Sequence, residues 1–438
     1  MDPVEPVSFP LADFLPPEGA VHLIGCGGAG CAPLARILHQ KGFLVSGSDL
    51  EENHETERLR SLGITVSTGP HRKENLPDAR RLLVIHTSAA ERDKNPELLA
   101  AAERGASILK RGEALAAVAS LYPRTVSVSG SHGKTSVTAM IAWTLRMLGA
   151  DPGFLVGGKV NTWDSSGEAG RGEFFVTEGD ESDGTHALLR SELAVVTNIE
   201  DDHVWSLGGI EVLEENFRIF ARRAERLLYW AGPIADRLYA DRTDAIRLTK
   251  FEPVFSPALE SASGEFQLCN LYTAMLAVES LGFSRKEILP ALSTFPGVGR
   301  RMTVHLETPE LKVMEDYAHH PTELRVSLAA LRKTNPNRRL VVVFQPHRFA
   351  RLERYFSEFA SELRKADLVF VAPVFAAWCS SGKYSAADLA AESGGIVLEG
   401  TWEQMAQTVR THLKHGDLLC VIGAGDIRKI LPCLTAPA

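Results

Sequence analysis

The sequence predicts an α/β protein of three domains, and three observations carry that expectation. Short β-branched runs alternate with helical patterns along the whole chain, the signature of parallel sheets. The alternation starts afresh twice, after "SLYPRT" and after the Gly- and Pro-rich "STFPGVGR". A length of 438 residues suits about three domains of ordinary size. The expected limits are 1–122, 123–297 and 298–438.

In the first domain the strand candidates are "VHLIG", "LVSGSD", "ITVST" and "LLVIHTS", and the helix candidates are 30–41, 54–62, 95–104 and 112–120. "VHLIGCGGAGC" places Gly25, Gly27 and Gly30 in GxGxxG spacing between a strand and a helix. Asp49 follows Gly30 by 19 residues, where a Rossmann-like fold keeps an acid for a ribose hydroxyl. By itself this loop suits a nicotinamide dinucleotide or any other pyrophosphate.

The second domain opens with the strand "TVSVSG" and the loop "GSHGKTS" (Gly130, Ser131, His132, Gly133, Lys134, Thr135, Ser136), followed by a helix. Such a loop turns backbone N–H groups and a helix N-terminus toward phosphate; Lys134 would neutralise charge and Thr135 would ligate Mg²⁺. It is shorter than a Walker A loop, since Val128 stands where that pattern needs glycine. Two further strands end in chemistry: "EFFVTEGDESD" with Glu178, Asp180, Glu181 and Asp183, and "LAVVTNIEDDH" with His203. Carboxylates and an imidazole at the carboxyl ends of parallel strands lie where open sheets bind ligands, and they suit Mg²⁺, with Mn²⁺ as the alternative. Glu200 and Asp201, taken singly, read as solvated acids. These features predict a P-loop ATPase-like central domain.

The third domain reads as a second Rossmann-like α/β unit: "KVMEDYAHH", "LVVVFQPHR", "LVFVAPV" and "DLLCVIGAGD", each followed by a helix. Asp316, Tyr317, His319 and His320 at one strand end, and His347, Arg348 and Arg351 at another, point to an anionic ligand or a developing negative charge.

Composition narrows the class. With 45% apolar and 23% charged residues the chain can bury real cores, and no apolar run is long enough for a membrane span. A net charge of −8 argues against a nucleic-acid binder but not against small anions held by a local positive site. Cys26, Cys31, Cys269, Cys379, Cys420 and Cys433 form no CxxC pair and read as reduced thiols, mostly small apolar filler, in a cytoplasmic protein.

Taken together, "HLIGCGGAG…GSD", "TSAAERDKNPE", "SGSHGKTSVTAMIA", "EGDESD", "VVTNIEDDH", "GVGRRM", "DYAHHPTE", "FQPHRFAR" and "GAGDIRKI" resemble, in order and over nearly the whole chain, the Mur ligase family. The family adds amino acids to a peptidoglycan precursor. The resemblance implies an ATP-dependent ligase joining L-alanine to the lactyl carboxylate of UDP-N-acetylmuramate through an acyl phosphate, with ATP and Mg²⁺ as cofactors and a monomer or homodimer as the assembly. It places Gly25, Gly27, Gly28, Ala29 and Gly30 at the UDP pyrophosphate, with Asp49, His86, Thr87 and Ser88 near the nucleoside. ATP would lie on the loop from Gly130 to Ser136, with Gln267, Asn270 and Arg300 as further contacts. Thr135, Glu178 and His203 match the metal ligands, and Lys134, Asn198, His203, His319, Arg348 and Arg351 the catalytic set. Glu181, Ser182, Asp183, Tyr317, His319, Arg348 and Arg351 would face the sugar nucleotide and the incoming amino acid, and "GVGR" (297–300) would be a hinge.

Three departures stand out. The family's Gly-x-His-Asn segment, which holds adenine, is replaced by "GEFQLCNLYTAM", where Phe266 and Gln267 take its place. The stretch between His203 and that segment is short, and Trp205 stands where an acid is common. Other readings remain: a sister ligase that attaches a murein peptide, a non-catalytic UDP-sugar-binding paralogue, and an NAD dehydrogenase. The last leaves the second phosphate loop unexplained.

Overall fold

The computed structural model describes residues 9–163, 165–201, 208–377 and 381–436. They divide into two compact units, one drawn from 1–251 with 270–296 and the other from 252–269 with 297–438. The described strands form three sheets.

The first sheet contains β1 (Gly19–Ile24), β2 (Val45–Asp49), β3 (Thr65–Thr68), β4 (Arg81–His86) and β5 (Ser107–Lys110) in the order β3-β2-β1-β4-β5. All its pairings are parallel. β1 is buried along its full length because helices cover both faces, which is why it reads as an unbroken apolar run. Its exception, His22, is fully buried and bonded to Ser46 and Glu97. The strand order reverses between β1 and β4, so the glycine loop after β1 and Thr87 after β4 share one crevice. The helices Cys31–Gln40, His54–Ser61, Pro96–Glu103 and Arg111–Ala119 end within a residue or two of expectation.

In the same unit, the second sheet contains β6 (Arg124–Ser129), β7 (Gly153–Leu155), β8 (Gly167–Glu168), β9 (Phe174–Glu178), β10 (Ser191–Val196), β11 (Ala224–Trp230) and β12 (Ile246–Leu248). Its order is β12-β11-β10-β6-β9-β7-β8, parallel except for β7 with β8. The carboxyl ends of β6, β9 and β10 lie side by side, and they carry the phosphate loop, the acidic run and Asn198. Helix Lys134–Met147 follows the loop and is buried from Val137 to Leu145. Polar contacts tie the first two sheets together: Ala169 N–H donates to Gln40, Tyr122 donates to the Ala169 carbonyl, and Glu168 pairs with both Arg36 and Arg146.

The second unit holds β13 (Thr303–Glu307), β14 (Leu311–Asp316), β15 (Leu340–Phe344), β16 (Leu368–Val371), β17 (Ile396–Val397) and β18 (Asp417–Ile422), ordered β13-β14-β18-β15-β16-β17. The β13–β14 pair is antiparallel and the others are parallel. Two apolar clusters, around Phe344 and Phe359 and around Phe370 and Ile427, fill the sheet's two faces. The sequence pattern does not announce β5, β7, β8, β11, β12, β13 and β17; β5, β8, β12, β13 and β17 are edge strands, while β7 and β11 lie inside the second sheet. No described helix is long and apolar enough to cross a membrane.

Candidate active site

The glycine loop is built by contacts that exclude side chains. Gly25 has φ +75°, and a Cβ there would lie 2.7 Å from Thr87 Cγ2. A Cβ on Gly27 would meet the side chains of Asn53 and Thr56 at 2.6 and 2.7 Å. The Gly27 N–H donates to Asp49 Oδ2 at 2.8 Å, so the acid at the end of β2 also fixes the loop's backbone. Gly28, Ala29 and Ser88 are exposed at this edge.

A buried carboxylate supports the loop from below. Glu97, from "NPE", accepts hydrogen bonds from Ser48 Oγ (2.6 Å) and Asn75 Nδ2 (2.6 Å) and meets His22 Nε2 (3.2 Å) and His71 Nδ1 (3.1 Å). Burial opposes its ionisation, yet the bonds from His22, Ser48 and Asn75 hold its pKa down at about 2. Ser48 is thereby anchored next to Asp49.

Arg111 is the residue that sequence reasoning missed. It begins the helix after β5, and its side chain lies across Gly30, where a Cβ would be 2.6 Å from its Cδ. Its Nη2 donates to Asp183 Oδ2 at 2.6 Å and lies 4.0 Å from Asp180 Oδ2. A lone arginine after a four-residue edge strand has no motif; its only signal is its place at a strand's carboxyl end. The cation therefore sits between the glycine loop and the acidic run.

The phosphate loop is pinned by β10 and the segment after it. Gly130 has φ +135°, and a Cβ there would fall 2.2 Å from Thr197 Oγ1. Ser131 N–H donates to the Asn198 carbonyl (3.0 Å), and His132 N–H donates to Asn198 Oδ1 (2.9 Å). Asn198 Nδ2 and Thr197 Oγ1 both donate to the His132 carbonyl. Asn198 thus acts on the loop itself, bonding its backbone from both ends of the amide. Glu200 differs from expectation: its N–H donates to Ser131 Oγ and its carboxylate faces His132 Nε2 at 3.4 Å. Gly133 takes the left-handed conformation that starts helix Lys134–Met147, with Ser136 in its first turn.

Lys134 Nζ donates to the carbonyls of Gly130 (2.6 Å) and Ser131 (3.3 Å) and pairs with Glu181 Oε2 at 2.7 Å. Burial works against its charge, but Glu181 and Asp180 overcome it and hold the ammonium above the usual lysine range. Burial pushes Glu181 up to about 7 against the pull of Lys134. Asp180 is also penalised by burial, yet Lys134, Ser182 and Arg111 keep it below the ordinary carboxylate range. Ser182 bonds Asp180 through both N–H and Oγ. Thr135 Oγ1 donates to Glu178 Oε2 at 3.1 Å, and Glu178 Oε1 accepts the Gly157 N–H. Of the expected metal ligands, His203 lies outside the described residues, as does Trp205, the noted departure two positions on.

A second cluster belongs to the other unit. Arg300 and Arg301 place their guanidinium groups over the Tyr317 ring, 4.6 and 5.0 Å from its centre. Arg300 donates to Glu315 and to the carbonyls of Gly423 and Gly425. His319 Nδ1 donates to the Tyr317 carbonyl at 3.0 Å, and its ring lies 5.6 Å from that of His347. Arg351, 1% exposed, reaches His347 Nδ1 at 3.4 Å. Arg348 takes φ +69° and donates its N–H to the Phe375 carbonyl. Burial drives His319 down to about 4 and His347 to about 3, with Arg351 adding to both. The histidines are therefore neutral at pH 7, and the cluster's positive charge comes from arginines. His320 instead caps helix Pro321–Thr334. Gln267, half-buried, and Asn270, buried, sit on helix Glu265–Ser280.

Comparisons agree with this architecture. Residues 20–123 match the Mur ligase family catalytic domain, 128–247 the Mur ligase middle domain, and 300–425 the Mur ligase glutamate ligase domain. The chain is 36% identical to the UDP-N-acetylmuramate–L-alanine ligase of Gloeobacter violaceus, over 94% of each chain. It is 35% identical to that of Saccharopolyspora erythraea, over 95% of this chain and 92% of the relative. The crystal structure of UDP-N-acetylmuramate–alanine ligase from Thermotoga maritima superposes with a TM-score of 0.78 at 27% identity, over 94% of this chain and 98% of that one. A murein peptide ligase from Psychrobacter arcticus shares the fold at a TM-score of 0.68 and 22% identity, over 96% and 99%. With three sheets in the expected order, two phosphate-type loops and full-length relatives above 30% identity, the chain belongs to the Mur ligase family.

Proposed function

We propose that this protein is an ATP-dependent ligase that joins L-alanine to the lactyl carboxylate of UDP-N-acetylmuramate during peptidoglycan precursor synthesis in the cytoplasm. The observation that carries the reading is that one unit holds two phosphate-type loops, with Lys134, Thr135 and Glu178 at one and Arg111 at the other. That pairing suits an ATP and a UDP-sugar, and an NAD dehydrogenase has no use for the second loop. The full-length relatives named above supply the amino acid. The domain limits proposed are 1–122, 123–297 and 298–438, and the assembly is a monomer or homodimer.

The oxygen donors of Thr135 and Glu178, 3.1 Å apart beside the phosphate loop, suit a hard cation, so these two residues and His203 would hold Mg²⁺, or Mn²⁺ in its place. The ion when bound neutralises phosphate charge. The chain's own part is positioning. Lys134 and the loop N–H groups hold the β- and γ-phosphates of ATP while the lactyl carboxylate takes the γ-phosphoryl group, giving acyl phosphate and ADP. Gln267, Asn270 and Arg300 are the further nucleotide contacts. The alanine amine then attacks the acyl carbon, and the tetrahedral intermediate loses a proton and phosphate to leave the amide. Arg348 and Arg351 orient the carboxylates and offset charge on that intermediate, Tyr317 and neutral His319 line the same pocket, and Asn198 keeps the loop in register.

Phosphate release is the test, run with ATP, Mg²⁺, UDP-N-acetylmuramate and L-alanine and with each omitted in turn. Release is expected only in the full mixture and fastest with L-alanine in an amino-acid panel. Release with a murein tripeptide and none with L-alanine would establish the sister ligase. No release in any mixture despite UDP-sugar binding would establish a non-catalytic paralogue.

A further inference from the structure

The ammonium group of Lys134 donates to the Gly130 and Ser131 carbonyls and is ion-paired with Glu181 Oε2 at 2.7 Å, so three oxygens already surround it. A phosphate oxygen gains this lysine only by replacing one of the three. The two carbonyls are fixed, because Gly130 is locked at φ +135° against Thr197 and Ser131 is tied to the Asn198 carbonyl. The carboxylate ends a rotatable side chain, whereas the carbonyls belong to the backbone, so it is the exchangeable partner. Glu181 is 1% exposed, which leaves it little surface to offer a substrate while the pair is closed.

We propose that Glu181 latches Lys134 away from the phosphate position, so that nucleotide must break this ion pair and Glu181 sets nucleotide affinity at the loop. The proposal rests on the loop being the ATP site. Breaking the pair strands a carboxylate in a buried place. The charged groups that act on it are Lys134 from the helix and Asp180 from its own loop; Glu178 acts on Lys134, and Arg111 acts on Asp180. His186, from the turn below, is neutral because burial drives it to about 4. With Lys134 in place, burial already holds Glu181 near 7. Once Lys134 turns to phosphate, only a backbone N–H still offsets that burial while Asp180 adds to it, and Glu181 takes up a proton from solvent. The exchange trades a buried ion pair for a neutral acid plus a lysine–phosphate pair, which keeps the net charge of the buried pocket balanced.

Titration calorimetry of the full chain with the β,γ-imido analogue of ATP and Mg²⁺, at pH 7.5 in phosphate and in Tris, reads both affinity and protons exchanged. Wild type is expected to take up a fraction of a proton per nucleotide. Glu181→Gln is expected to bind at least about fivefold tighter and to lose that uptake, because a neutral amide is a weaker competitor for the ammonium. Glu181→Asp, whose shorter carboxylate draws back from Lys134, is expected to bind at least about twofold tighter and to keep the uptake; it carries the test if the glutamine variant does not fold. Affinity no tighter than wild type in these variants, or proton uptake unchanged in Glu181→Gln, overturns the latch alone. Wild type that binds no nucleotide overturns the latch and the ATP reading together.

Discussion

Glu97 links fold stability to the glycine loop after β1, and replacing it with glutamine tests that link. The carboxylate is fully buried and receives Ser48 Oγ and Asn75 Nδ2 at 2.6 Å, with His22 and His71 beside it. A pKa held at about 2 instead of 4.5 corresponds to about 3 kcal/mol of native-state stabilisation. Because the folded value lies below the unfolded one, this stability is present above about pH 4.5 and is lost as the pH falls toward 2. Glu97→Gln removes the charge and sets an amide donor against donors, so the local loss is expected to be of the same size, about 2–4 kcal/mol. A protein of two units need not unfold in one step, so native-state hydrogen exchange is the right assay. Amides of β1, β2 and β4 are expected to exchange roughly 100-fold faster in the variant at pH 7, while β14, β15 and β18 stay unchanged. UDP-N-acetylmuramate affinity is expected to fall as well, since Ser48 anchors the residue before Asp49 and Asp49 holds Gly27. Exchange in β1 altered by less than about fivefold would refute the reasoning.

Lys134→Ala is expected to abolish phosphate release while leaving UDP-N-acetylmuramate affinity within about twofold, measured by calorimetry, because in the proposed assignment the two loops hold different phosphates. Arg111→Met is expected to weaken the UDP-sugar by about 10- to 100-fold, the worth of a charge-assisted contact to pyrophosphate, with ATP-analogue affinity little changed. His319 and His347 have folded pKa values of about 4 and about 3, below the unfolded 6.5. The unfolded chain therefore binds protons that the folded unit refuses, and stability is expected to fall as pH drops from about 6.5 toward 4. Hydrogen exchange in β14 and β15 checks this, and a double His→Gln variant is expected to flatten the dependence.

Much of the architecture was legible in the sequence because it follows from local pattern. β1, β4, β6 and β15 are largely buried β-rich runs, with glycine or proline punctuating β1, β6 and β15, and the helices between them carry clear starts, such as Asn53 and Asn95 as N-caps. The phosphate loop was legible because glycine, lysine and threonine must follow a strand in that order to cradle phosphate. Edge strands such as β13 were not, since few residues and one-sided pairing leave little periodicity.

By itself, then, the sequence determined the α/β class, the three-sheet order and the loops, because backbone periodicity and glycine placement are written locally. Only the tertiary structure decided which charges meet. Arg111 reaches Asp183 across 72 residues, and Glu97 collects Ser48 and His22 from separate strands. Lys134 finds Glu181 rather than solvent because β6 and β9 are neighbours in the sheet. Electrostatic partners depend on distance in space and on burial, and neither can be read from spacing along the chain.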